Sequence, residues 1–68
     1  MFIELKELYY RNGAYLTKQL LLNAAEISSV IEDDGHGYVE SRTVVMNNKH
    51  SYSVKDRYSD IVRMINGD

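Results

Sequence analysis

The pair Asn12-Gly13 constrains this chain more than any other feature of its sequence. Asparagine followed by glycine tolerates positive φ at both central positions of a type I′ turn, the turn whose twist matches two flanking antiparallel strands. A two-residue loop leaves no freedom of register. Tyr10 then faces Tyr15, Tyr9 faces Leu16, Glu7 faces Lys18, Leu5 faces Leu20 and Ile3 faces Leu22. One face gathers Ile3, Leu5, Tyr9, Leu16, Leu20 and Leu22, interrupted only by Glu7 and Lys18, whose opposite charges suit cross-strand neighbours. The other face carries Phe2, Leu8, Tyr10, Tyr15 and Leu21 among Glu4, Lys6, Thr17, Gln19 and Asn23, which is too apolar for a plain solvent face. Phe2, Leu8 and Leu21 are therefore candidates for an oligomer face, covered by a second copy unless the chain curls over itself.

Downstream, Asn23-Ala24-Ala25-Glu26 suits a short turn in which Asn23 satisfies free backbone amides. Ile27 to Glu32 reads as a third strand; a helix from Leu20 to Ile31 is the rival, favoured by leucine and alanine and opposed by the cluster Ile27, Val30 and Ile31. Asp33-Asp34-Gly35-His36-Gly37 is a loop. Tyr38 to Met46 and Lys49 to Lys55 read as a second hairpin across Asn47-Asn48, taken as a two-residue loop. That register opposes Val45 to His50, Thr43 to Tyr52, Ser41 to Val54 and Glu40 to Lys55. It puts Val39, Val45, Tyr52 and Val54 on one face and Arg42, Val44 and Met46 on the other. A helix closes the chain, with Asp56 as N-cap, a stripe of Tyr58, Ile61, Val62 and Ile65, and Gly67 just past its end. The predicted class is α+β, mostly β: two β-hairpins and a linking strand in a small antiparallel sheet or partial barrel, with a C-terminal helix.

A chain of 68 residues has room for one domain, spanning 1–68, and for one core. Cores of that size supply only about 3–5 kcal/mol of net stability, and small proteins add disulfides, a metal or self-association. The sequence has no cysteine and only two histidines, His36 and His50, so neither a disulfide nor a zinc ligand set is open to it. Homo-oligomerisation is the staple that remains. Eight basic residues against ten acidic ones give a charge of -2, without the positive excess that nucleic-acid binding draws on. No apolar run approaches a membrane span and the amino terminus lacks a signal core, so the expectation is a cytoplasmic protein that does not enter membranes.

Nothing in the sequence assembles a catalytic set. The serines sit in no nucleophile elbow, Gly35-His36-Gly37 precedes a strand rather than opening a helix, and Asp33-Asp34 lacks the alternating ligands of a calcium loop. The expectation is a non-enzymatic binding protein with no cofactor, no metal site and no catalytic residue. Tyrosine is the informative residue: six of them, with no tryptophan and one phenylalanine. It supplies contact area with a polar tip at modest entropic cost, as interfaces require. Tyr9, Tyr52 and Tyr58 fall on predicted core faces, whereas Tyr10, Tyr15 and Tyr38 do not. Those three, with Arg11, His36 and Arg42, form the candidate binding surface, suited either to a protein partner or to stacking on a small nucleotide ligand.

Two stretches resemble the small FlbD-like proteins of flagellar operons and similar bacteriophage accessory proteins. Leu21-Leu22-Asn23-Ala24-Ala25-Glu26-Ile27 through Val30 is similar to that family's "LLNA..I..I" segment. Val44 through Lys49, then Val54-Lys55-Asp56 and Ile61, is similar to its "L.NG..Y.V.ES...I" ending. The resemblance implies a small curled antiparallel sheet with a packing helix, and no catalytic residue. It also implies two possible roles for a phage accessory protein: binding and modulating a host protein, or sequestering a cyclic nucleotide signal between subunits.

Overall fold

The computed structural model describes residues 1–32 and 41–67. The first hairpin pairs β1 (Phe2–Arg11) with β2 (Ala14–Asn23) in the register set by the Asn12-Gly13 turn, from Arg11↔Ala14 to Phe2↔Asn23. Both turn residues have positive φ, 53° at Asn12 and 79° at Gly13, as a type I′ turn demands. Asn23 then accepts a hydrogen bond from the Ala25 amide at 3.1 Å, capping a single 3-10 turn (Ala24–Glu26). β3 (Ile27–Glu32) follows directly, so the Leu20 to Ile31 region is strand, turn and strand rather than one helix.

β4 (Arg42–Met46) and β5 (Ser51–Val54) complete an antiparallel sheet in the order β2-β1-β5-β4-β3. The expected register of this hairpin is off by one residue. Val44 pairs with Tyr52 and Val45 with Ser51, rather than Val45 with His50. The cause is the loop: Asn47-Asn48-Lys49 is a three-residue connection in which Lys49 takes the left-handed conformation at φ 71°. Met46 C=O accepts from Lys49 N–H, Met46 N–H donates to His50 C=O, and the Asn48 side chain accepts from His50 N–H at 2.9 Å. A one-residue slip exchanges the faces. Val44 therefore joins Val54 and Tyr52 on the core face, and Val45 goes to the other side.

The two sheet edges, β2 and β3, are joined by only three residues of 3-10 turn. In a flat sheet they would stand roughly 19 Å apart at a strand spacing of about 4.8 Å, so the sheet has to curl. It curls without closing, because β2 and β3 do not pair. Inside the curl lie Ile3, Leu5, Leu22, Val44, Val54 and Ile61.

Helix α1 (Tyr58–Asn66) covers that core through Ile61, which is fully buried, with Met64 and Ile65 packed beside it. Tyr58, expected in this stripe, is instead 41% exposed, because the helix faces the sheet through its middle turn. The N-cap is Arg57, not Asp56, and no side chain caps the first turn. Asp56 is engaged elsewhere: its carboxylate accepts the Lys6 amide at 2.6 Å where β5 has ended. Gly67 ends the helix at φ 80°, its N–H reaching the Arg63 and Met64 carbonyls.

Candidate binding surface

The β1–β2 hairpin is longer than the sheet that supports it. β5 meets β1 in register only at Glu7↔Val54, so the distal half of the hairpin, Leu8–Arg11 with Ala14–Thr17, projects as a two-stranded arm. The molecule is accordingly elongated, 35 × 22 × 20 Å. Lys18 Nζ lies 3.8 Å from Glu7 Oε1 and 5.2 Å from the centre of the Tyr9 ring, tying down the inner side of the arm.

On the outer side, four large apolar side chains remain in water: Phe2 (63% exposed), Tyr10 (64%), Tyr15 (55%) and Leu21 (64%). Strand alternation puts all four on one face, with Phe2 and Leu21 towards the base and Tyr10 and Tyr15 at the tip. The two tyrosine rings meet edge to face, centroids 5.2 Å apart, a favourable geometry that presents them as one aromatic block. Leu8, the third candidate for an oligomer face, lies between the clusters and is half-buried. This apolar outer face is covered by no described part of the chain.

The other candidates do not converge on this block. Arg11 is exposed beside the turn, but strand alternation turns it to the inner side with Tyr9. Arg42 pairs with Val54 and Glu32 on the core side of the sheet, half-buried, and its Nε is buried without a hydrogen-bond partner among the described residues. Tyr38 and His36 lie outside the described residues. Sequence reading missed a groove of about 350 Å³ beside the arm, lined by Lys6, Thr17, Lys55, Asp56, Arg57 and Asp60. Asp60 is paired with Arg63 at 3.7 Å and Asp56 with the Lys6 amide, whereas Lys6, Lys55 and Arg57 form no ion pair among the described residues. No spacing in the sequence could reveal this groove, because Lys6 and Lys55 meet only through the β1–β5 seam.

Among the described residues no three of His, Cys, Asp and Glu gather as a metal site, and no helix is long and apolar enough to cross a membrane. No family model, curated protein or solved structure matches this chain.

Proposed function

We propose that this chain is a small non-enzymatic binding protein that engages another protein through the outer face of the β1–β2 hairpin. The observation that carries this reading is the joint exposure of Phe2, Tyr10, Tyr15 and Leu21 on one face of a projecting arm. Contiguous apolar surface of this kind marks interaction sites, and tyrosine anchors lose little entropy when they are covered. If the resemblance to phage accessory proteins holds, the partner is a host protein, modulated by being bound.

Affinity capture from the producing cells tests the proposal, using wild type, Phe2→Ser/Leu21→Ser, Tyr10→Ser/Tyr15→Ser, and Lys49→Ser as a control on the opposite loop. The control should retain the same partner as wild type. Each face variant should retain it about tenfold less or worse, because each removes two large apolar side chains whose full burial is worth about 1.5–3 kcal/mol apiece. Undiminished capture by both face variants would remove the outer face as the binding surface. Nucleotide sequestration is the second reading, favoured by the three cations of the groove, which form no ion pair among the described residues. Calorimetric binding of a cyclic or linear nucleotide that is lost in Arg57→Ala would put it first.

A further inference from the structure

Among the described residues the free edge of β2 is unguarded. The strand runs ten residues, Ala14–Asn23, with no proline, no bulge and Lys18 as its one charge. Edge strands that remain unpaired are ordinarily short, bulged or charged. The opposite edge, β3, has such a device, an irregularity between Ile27 and Ser29.

The hydrogen-bond phase of β2 follows from its turn. A two-residue loop is closed by a hydrogen-bonded pair, here Arg11 and Ala14, so even-numbered residues of β2 bond to β1. Tyr15, Thr17, Gln19 and Leu21 therefore turn their N–H and C=O groups to the free edge. β1 displays the same phase: Met1 C=O accepts from Ala24 on the β2 side, while Lys6 turns away to bond Asp56 and Lys55.

The apolar pattern of β2 reads the same in both directions from Lys18. Thr17 mirrors Gln19, Leu16 mirrors Leu20 and Tyr15 mirrors Leu21. We infer that two copies of this chain pair β2 to β2, antiparallel, about a two-fold axis at Lys18, merging two sheets into one. In that register Tyr15 bonds with Leu21 of the second copy and Thr17 with Gln19, so each outward-facing backbone group in the overlap gains a partner. Leu16, 41% exposed on the arm, comes to lie beside Leu20 of the second copy, which packs on its own core. Each arm thus gains the flanking strand that its own sheet does not supply. Pairing takes the backbone edge from Tyr15 to Leu21 and the exposed side chain of Leu16 out of water on both copies. Lys18 opposes its own copy, a like-charge contact moderated by the Glu7 held against each lysine. The pairing is made by the backbone edge of β2, with the side chains of Tyr15 and Leu21 still on the outer face, so it joins the two outer faces side by side and is tested separately from the partner proposed above.

Sedimentation and directed cross-linking test it together. The chain has no cysteine, so Lys18→Cys, Thr17→Cys and Gln19→Cys each carry a single thiol. Residue 18 would face its own copy at a non-hydrogen-bonded position, with Cα atoms about 4.5 Å apart and within disulfide reach. Residues 17 and 19 would stand roughly 8–9 Å from their own copies, out of reach. Wild type should sediment as a dimer, and Lys18→Cys should cross-link about tenfold faster than either neighbour or better. Gln19→Pro removes an outward N–H but none bonded to β1, and should weaken dimerisation about tenfold. If that variant proves unfolded, the cysteine series decides alone. A wild-type monomer at concentrations on the order of 100 µM, or cross-linking at 17 or 19 as fast as at 18, would overturn the inference.

Discussion

Val44 and Val45 are chemically identical neighbours that the β4–β5 register sends to opposite faces of the sheet, which makes them a direct test of that register. Val44 is fully buried in the core with Leu5, Val54 and Ile61; Val45 is half-buried on the other side, opposite Ser51. Trimming Val44 to alanine removes two methyl groups, about 1.6 kcal/mol of transfer free energy. The hole of roughly 40 Å³ left behind adds about 1 kcal/mol. The same trim at Val45 opens no enclosed cavity and forgoes about 0.5 kcal/mol of burial. Loss of strand propensity is common to both and cancels. The expected difference is thus about 2 kcal/mol, against a net stability of about 3–5 kcal/mol for a chain of this size. In thermal terms it is on the order of 10 °C. Urea unfolding followed by circular dichroism, at one fixed protein concentration, measures it. Equal costs, or a larger cost at Val45, would show that the three-residue loop and the register it imposes are wrong.

Two further outcomes follow from the same physical picture. Lys49→Gly should raise stability by about 0.5–1 kcal/mol, because Lys49 sits at φ 71° where a side chain is strained; an unchanged urea midpoint would count against that strain. Asp56→Asn keeps the shape but removes the charge from the bond to the Lys6 amide, and should cost about 1 kcal/mol with faster hydrogen exchange at that amide. Undiminished protection of Lys6 would refute the role given to the carboxylate.

The first hairpin was legible residue by residue because Asn12-Gly13 admits one loop length and one turn type. Asn47-Asn48 misled for the converse reason. Asparagine pairs suit a two-residue loop, but the residue that takes positive φ there is Lys49, a type with no preference for it, so composition gave no warning. Asp56 was misplaced because a carboxylate one residue before a helix looks like a cap. Its actual acceptor role depends on β1 lying alongside, a contact between residues 6 and 56 that no local pattern encodes. The outer apolar face was visible from alternation alone, since Phe2, Tyr10, Tyr15 and Leu21 share a parity across the turn. The wide separation of Arg42 from the tyrosine pair was not visible, because it follows from the order of strands in the sheet.

The seam between β1 and β5 has a kinetic consequence. It joins residues far apart in sequence, through Glu7↔Val54, the Lys55 N–H to Lys6 C=O bond and the Lys6 N–H to Asp56 bond. Each hairpin closes a short loop, whereas the seam brings together residues 6–7 and 54–56, so it carries the greater closure entropy. On this physical argument its formation is expected to set the folding rate. Substitutions at Lys55 or Asp56 that weaken docking should therefore slow refolding more than they speed unfolding. Until β5 docks, β1 keeps one edge unpaired.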